Sequence, residues 1–486
     1  MKKIYYLLIA CSFTHFAQAQ AVLNWSSPID VASSNYDNVG PRIALNNNQQ
    51  AVVLWGQLLP QQNYVAVHNS NEGFSTPILV NGPLTPYVHS VEGATITAKG
   101  DNVYVSFGNN ETLNDGIYTT RSTDGGLSFD APISVANLGT MIPSLPTVNV
   151  DSYGNPVVCF ISTTSAWTQA TYQTAISLDG GISYLPNVTA NTGIGNGIAC
   201  ECCPATMAIS GNNHLLMFRN NDNNIRDIWV TKSVNSGINY TESADIDALD
   251  WSISGCPATG PDGIIINDEL ISVWMSSGGD NGSKVYLSTL TISTMEKGIE
   301  IPLHLDETVS ATQNYPHIAG QNDTIGIVWQ ENIVGDISVF FTWSVNGVAE
   351  LAQNVQALSS SGSNQKYPDI AYGNGVFHIV YENIATNTSI YQTATIADPT
   401  LIENIDEPIA ITIYPNPVQK NSMVFVNTHN TNRFDATLIN ASGKTVKNYP
   451  QLNGNFIIAT QTLQSGLYLL KVTTDKHTKV HKLIVK

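Results

Sequence analysis

Charge is scarce in this 486-residue chain: 12% of its residues are charged, and acids outnumber bases 38 to 20. The resulting formal charge of −18 excludes nucleic acid as a general partner, because neutralising phosphates takes clustered Lys and Arg. Beyond the N-terminus no apolar run is long enough to cross a bilayer, so no transmembrane segment is expected once a leader is removed. No long amphipathic helix can be traced, which excludes bundles and coiled coils. Cysteine is rare as well, with six in the chain, three of them within four residues at Cys200-Glu-Cys-Cys203.

What the chain has instead is Gly, Asn, Ser and Thr between short apolar runs, the composition of many strands joined by polar turns. Residues 1–19 read as an export signal, with Lys2-Lys3, an apolar run through Ile9 and the small-residue site Ala17-Gln18-Ala19. Leu8-Ile9-Ala10-Cys11 offers a second reading, a lipoprotein box, but the segment stays apolar past Cys11 and ends in a good Ala-x-Ala. Cleavage after Ala19 removes two lysines and Cys11, leaving a charge of −20 and five cysteines in an oxidising compartment. The odd number requires that at least one be free, metal-bound or paired outside the chain.

A phrase recurs along residues 20–400. Pro41-Arg-Ile-Ala, Pro146-Thr-Val-Asn, Pro204-Ala-Thr-Met, Pro257-Ala-Thr-Gly, Pro316-His-Ile-Ala and Pro368-Asp-Ile-Ala each precede a turn and an apolar strand, and Gly93-Ala-Thr-Ile fills the second place. The period, roughly 52–59 residues, is near that of four-stranded propeller blades. Seven units fit. Trp25-Ser-Ser-Pro-Ile-Asp-Val copies the outer-strand phrases at Phe74 and Phe129 but stands before the first unit, while the last unit stops after its third strand near Ala397. The N-terminal strand is therefore expected to complete the seventh blade and protect the sheet edges. The expectation is an all-β chain: a seven-bladed β-propeller at 20–400, a linker at 401–410 and a small β-sandwich at 411–486.

Ser122-Thr-Asp-Gly-Gly-Leu-Ser-Phe129 and Ser177-Leu-Asp-Gly-Gly-Ile-Ser-Tyr184, with a weaker copy at Ser233–Tyr240, resemble the Asp-box of sialidase-like (BNR-repeat) propellers. Such boxes are structural, so the resemblance implies fold and says little of chemistry. After the repeat ends, Ile413-Tyr-Pro-Asn-Pro417, Asn440-Ala-Ser-Gly-Lys444, Leu463-Gln-Ser-Gly-Leu-Tyr468 and Lys482-Leu-Ile-Val-Lys486 resemble, in order, the C-terminal sorting domain of the type IX secretion system. That likeness implies the secretion machinery as a partner of 411–486 and a protein released outside the cell or attached to its outer surface.

On a propeller the anchor prolines mark one rim. Cys200, Cys202 and Cys203 precede Pro204, Cys256 precedes Pro257 one unit later, and Arg219 and Arg226 lie on the loop after the second strand of the fourth unit. Three readings fit the cysteines. They form disulfides, for example Cys256 to Cys202 or Cys203; they hold a soft metal, copper or zinc; or one is a redox thiol whose pKa a nearby arginine lowers. The set Cys-x-Cys-Cys-Pro, Arg-Asp-Ile and Trp-x-Ile-x-Gly-Cys-Pro resembles a cysteine-containing sialidase-like subfamily. Arg42, His317 and Asp369 follow anchors of adjacent units and form a second arc, with His89 near them and Trp167 as a sugar platform. Sialidase chemistry takes three arginines from separated blades, and here Arg219 and Arg226 share one loop. The reading is an exported protein that recognises or processes an extracellular glycan or other surface polymer, with Arg219, Arg226, Arg42, His317 and Asp369 as candidate site residues. A metal-dependent redox or hydrolytic protein and a non-catalytic scaffold pinned by disulfides are the alternatives.

Overall fold

The computed structural model describes residues 21–32, 37–69, 73–109, 116–136, 138–192, 199–305, 311–358, 364–397, 410–429, 433–474 and 478–486. The expected leader at 1–19 and all but the last residue of the expected linker at 401–410 lie outside these. Two compact units separate by their contacts, Ala21–Ile396 and a C-terminal one beginning at Ala397. Almost all regular structure is β-strand, with a short 3-10 turn at Gly347–Gln353. Among the described residues no helix is long and apolar enough to cross a membrane.

The described residues of 21–396 form seven antiparallel sheets of four or five strands. Their first strands are Asn38–Leu45, Thr95–Lys99, Ile142–Val150, Thr206–Ser210, Asp262–Ile266, Thr312–Gln321 and Gln365–Gly373, and each sheet then runs strand by strand from there. The seventh takes its outer strand from the start of the described chain: Val22–Trp25 and Ile29–Asp30 pair with Thr388–Ala397.

The middle of each second strand is mostly apolar because both its faces are covered. Every residue of Ala51–Gln57 and of Pro156–Thr163 is buried. One large aromatic sits at the same register in each of the seven second strands: Trp55, Phe107, Phe160, Phe218, Trp274, Trp329 and Tyr381, none more than 1% exposed. The apolar cores lie between consecutive sheets. Val52, Leu54 and Val65 of the first pack with Val103, Val105 and Phe107 of the second, and so on round to Val380 and Tyr391 of the seventh, which pack with Val53 and Trp55 of the first. Such interfaces, each removing rows of Val, Ile and Leu from water, are the main stabilising term.

The turns at Ser122 and Ser177 have one construction. The Ser177 hydroxyl accepts from Gly181 N (2.8 Å), and Asp179 Oδ1 accepts from Ile182 N and Ser183 N at 3.0 and 2.9 Å. Gly181 has φ +83°, and a Cβ there would lie 2.9 Å from the Tyr104 ring, so glycine is required twice over. The Ser183 hydroxyl, then its amide, and the Ser177 hydroxyl hold the Asp179 carboxyl down at about 2. A depressed carboxyl stabilises the fold above its unfolded value of about 4 and loses that contribution as pH falls through its folded value. Asp179→Asn should therefore lower the urea midpoint at pH 7, with the gap to wild type closing as pH drops toward about 2. A gap independent of pH would show that the carboxylate charge is not what holds the turn.

One register differs from the sequence expectation. The first strand of the fifth sheet begins at Asp262, after Pro261, and Asp262 pairs with Val273 as His317 pairs with Val328 and Asp369 with Val380. Pro257 is not the anchor. Cys256–Gly260 is a loop outside the strand, bent through Ala258 at φ 49° and tied back by Cys256.

The C-terminal unit holds two sheets, Ala410–Tyr414 with Met423–His429 and Phe456–Ala459, and Thr445–Asn453 with Arg433–Asn440, Gly466–Thr473 and Thr478–Val485. Alternating residues such as Val424, Val426, Phe434, Leu438, Leu470 and Val472 form its own core.

Candidate functional site

The loop before the fourth sheet is held from two sides. Cys200 N donates to Arg219 O at 2.9 Å, and the Tyr172 hydroxyl from the third sheet donates to Cys203 O at 2.8 Å. This turns Cys200 and Cys203 inward, fully buried, while Cys202 is half-buried and bonds as a disulfide to Cys256, which is exposed. Cys200 Sγ then lies 3.0 Å from Cys203 Sγ and 3.7 Å from Cys202 Sγ. Arg226 Nη1 donates to Cys200 Sγ at 2.8 Å, and Arg226 is itself paired with Glu201 at 3.4 Å. The Cys203 thiol bonding to it, helped by the Arg226 charge and opposed by burial, lowers the Cys200 thiol to about 7. Burial, followed by the Cys200 partner, pushes Cys203 well above the usual thiol range. Of two adjacent thiols, Cys200 is the one whose thiolate is favoured and Cys203 the one placed to donate to it.

Arg219 differs from what the sequence suggests. It ends the second strand, pairs in register with Ile228, and is fully buried. Its Nη1 donates to Arg226 O (2.7 Å), Nη2 to Met275 O (2.6 Å) and Nε to Thr259 O (3.3 Å), and its guanidinium lies 5.1 Å from the centre of the Trp251 ring. Trp251 N in turn donates to Asp227 Oδ1 at 3.0 Å. Arg219 and Arg226 are therefore spent inside the protein, one on carbonyls and one on a sulfur and a carboxylate; neither is presented to a polymer.

The disulfide also bears on metal binding. Cys200, Cys202 and Cys203 bring their sulfurs within 4.8 Å of one another, the one such group of His, Cys, Asp or Glu among the described residues. With Cys202 bonded to Cys256, two thiols remain, short of the four ligands of structural zinc. The guanidinium on Cys200 occupies the side from which a cation would be held. This donor set does not fit a structural zinc while the disulfide stands.

Arg42, His317 and Asp369 belong to a different place. Seven equivalent positions, Arg42, Thr95, Thr147, Thr206, Asp262, His317 and Asp369, each pair with the residue just before a buried second-strand aromatic, and all seven line one recess of about 290 Å³. Side chains here stitch each sheet to the next. Arg42 donates to Val91 O, Thr95 accepts from Val148 N, Thr147 donates to Ala205 O and Thr206 to Pro261 O. Asp262 accepts from Ile318 N, and Asp369 Oδ2 accepts from Ile43 N at 3.0 Å. His317 Nδ1 sits between Asp262 Oδ2 (3.1 Å) and Asp369 Oδ1 (3.6 Å).

Tyr315 and Tyr367 precede the anchor prolines of the sixth and seventh sheets at φ 53° and 50°, each within a bulge, and their rings meet edge-on at 4.9 Å beside the recess. Leu145 before Pro146 and Gly40 before Pro41 take the same conformation at φ 53° and 57°, each in the equivalent bulge, so the left-handed turn belongs to the repeat, and in the sixth and seventh sheets it is a tyrosine that occupies it. Burial first, then Tyr367, pushes the Tyr315 hydroxyl up to about 12, so it stays protonated. Glu92 completes the acidic lining, raised mainly by its own burial. His89 instead accepts from Val91 N and Glu92 N in its own loop, and Trp167 stands exposed on a separate turn. The sequence reading missed Asp262. Pro261-Asp-Gly-Ile repeats Pro368-Asp-Ile, but the match at Pro257 four residues earlier concealed it.

Residues 412–486 match the secretion system C-terminal sorting domain. This indicates secretion through the type IX system and attachment at the outer surface. No curated protein matches the chain. Among solved structures it is similar to a protein of unknown function from Dyadobacter fermentans DSM 18053, at 10% identity and TM-score 0.46 over 77% of this chain and 99% of that one. It is also similar to an ulvan lyase of a new polysaccharide lyase family, at 8% identity and TM-score 0.49 over 76% and 97%. A third is a subtype N10 neuraminidase-like protein of A/little yellow-shouldered bat/Guatemala/060/2010, at 9% identity and TM-score 0.41 over 76% and 98%. With TM-scores below 0.5, none of these likenesses bears on function.

Proposed function

We propose that residues 21–396 are a closed seven-bladed propeller of the Asp-box kind, exported on its sorting domain, and that its axial recess binds a neutral extracellular glycan. The sequence of cores between consecutive sheets, returning from the seventh to the first, supports the propeller. The glycan reading is carried by one observation: His317 held between Asp262 and Asp369, with the Tyr315 and Tyr367 rings beside them. Asp262 and Asp369 are fixed by backbone amides at both oxygens and keep a remaining lone pair for a sugar hydroxyl, and aromatic faces cover the apolar side of a pyranose, the mixture expected of a small-ligand recess.

Charge decides among glycans. Glu92, Asp262 and Asp369 face Arg42 and His317, and Arg42 is the single arginine lining the recess among the described residues. An anionic sugar would meet this excess of carboxylates without the arginine clamp a sialidase uses, so a neutral one is favoured. The polymer-binding role thus belongs to the Arg42/His317/Asp369 arc, with Asp262 added, and not to the buried Cys/Arg cluster.

The full chain without its leader should bind neutral oligosaccharides on a glycan array and in calorimetry. Asp262→Asn and His317→Ala should each weaken that binding about ten- to hundredfold, the worth of one hydrogen bond to a charged group. Preference for uronates or sialosides, or neutral-glycan binding indifferent to both substitutions, would defeat the reading.

A further inference from the structure

Four cysteines stand in a line from the interior to the surface. Cys203 is buried against Cys200 at 3.0 Å, Cys200 lies 3.7 Å from Cys202, and Cys202 is bonded to exposed Cys256. Disulfide staples alone do not call for this arrangement. A staple needs two sulfurs, whereas here a further thiol lies beside the inner sulfur of the bond, backed by a second thiol and by a guanidinium 2.8 Å away. Thiol–disulfide exchange needs those parts: an attacking thiolate, a disulfide within reach, and a resolving thiol.

We propose that Cys203, Cys200, Cys202 and Cys256 form an internal thiol–disulfide relay that passes electrons from the buried pair to Cys256, where they reduce a disulfide of another exported molecule. In the first step Cys200 thiolate attacks Cys202 Sγ. The Cys200–Cys202 bond forms, the Cys202–Cys256 bond breaks, and Cys256 leaves with the electron pair and takes up a proton. In the second, Cys203 gives up its proton and attacks Cys200. The Cys200–Cys203 bond forms and Cys202 leaves as the thiolate, protonated in turn. The inner pair is oxidised, the outer pair reduced, and no outside oxidant is consumed. Cys256 then attacks the partner's disulfide, Cys202 resolves the mixed disulfide, and the partner departs as a dithiol with the Cys202–Cys256 bond restored.

The surroundings suit the order of attack. Arg226 stabilises the thiolate at Cys200, the sulfur that attacks first, and Tyr172 holds the carbonyl of Cys203, the one that attacks second. Cys159 takes no part; it is buried in the core of the third sheet, where burial keeps its thiol protonated. The relay is independent of the glycan reading, since none of the four cysteines lines the axial recess.

The test uses the full chain without its leader, oxidised completely and then given one equivalent of dithiothreitol. Acid quenching, alkylation and cleavage after Glu201, which separates Cys200 from Cys202 and Cys203, allow each cysteine to be read by mass spectrometry. The label should divide between the Cys202/Cys256 pair and the Cys200/Cys203 pair, in the same ratio when approached from the fully reduced protein. Started with only the Cys202–Cys256 bond and no added reductant, wild type should come to label Cys256 and Cys200→Ser should not. Cys203→Ser should trap Cys200–Cys202 with Cys256 fully labelled, which keeps the question decidable if Cys200→Ser does not fold. With oxidised glutathione as the partner disulfide, wild type should release reduced glutathione and Cys200→Ser should not. Label confined to one pair at all times would overturn the proposal. So would an intact Cys202–Cys256 bond in Cys203→Ser, or a stoichiometric metal that blocks exchange until chelated.

Discussion

Arg219→Ala should destabilise residues 21–396 by about 3–5 kcal/mol, since each buried acceptor left unsatisfied costs about 1–3 kcal/mol. The loss is large because three carbonyls from three segments, Arg226 O, Met275 O and Thr259 O, would be left in the interior without their donor. Trp251 would also lose the guanidinium above its ring. Arg219→Lys recovers little, since a single ammonium cannot reach three divergent carbonyls in the guanidinium geometry. The deficit should depend on pH. Burial first, opposed by the amide of Trp251, raises Asp227 to about 6; burial and then Asp227 raise Asp247 to about 7. Carboxyls raised in this way bind protons in the folded chain that the unfolded chain has lost, so stability falls as pH rises from about 4 to their folded values. Arg219 is among the charges that pull both down, and without it the fall continues to higher pH. Guanidinium denaturation should therefore show a larger gap between Arg219→Ala and wild type at pH 8 than at pH 6. A gap below about 1 kcal/mol at both would mean that water replaces the guanidinium.

Much of this frame is visible in the sequence for physical reasons. Apolar second strands such as Ala51-Val-Val-Leu-Trp are continuous because both faces are buried, and a buried strand has no polar alternation to obscure it. The Asp124 and Asp179 turns are legible because their hydrogen bonds are local, closed within five residues. The sites are less so. Phe218-Arg219-Asn220 reads as the start of a polar loop, but pairing with Ile228 keeps Arg219 in the strand, and its direction inward depends on carbonyls 40 and 56 residues away. Cys202 and Cys203 were equal candidates for Cys256, because adjacent residues point to opposite sides and the sequence does not say which side faces in. The Tyr172 hydroxyl on Cys203 O decides it, and Tyr172 comes from another sheet. Asp262 was missed because two prolines four residues apart both fit the anchor phrase, and only strand pairing separates them.

Cys256→Ser should cost about 4 kcal/mol, close to the effect of Arg219→Ala but for a different reason. The Cys202–Cys256 bond closes a loop across a sequence separation of 54 residues, and the lost entropy of the unfolded chain grows with the logarithm of that length. The native contacts of Cys256 are few; its side chain is exposed, and besides the disulfide it approaches Cys202 O at 3.8 Å. Most of the effect therefore lies in the unfolded state, and the folded structure of Cys256→Ser should be nearly unchanged. The comparison with Arg219 tests this. Both residues act on the loop Cys256–Gly260, the disulfide at its first residue and Arg219 through Thr259 O. If the cross-link works by holding that loop in the native state, each restraint covers for the other and the double variant should lose more than the two single losses together. If it works by restricting the unfolded chain, the losses should add within about 0.5 kcal/mol. We expect addition, measured as denaturation midpoints of the two single variants and the double at one pH, because exposure leaves the disulfide little native packing to lose.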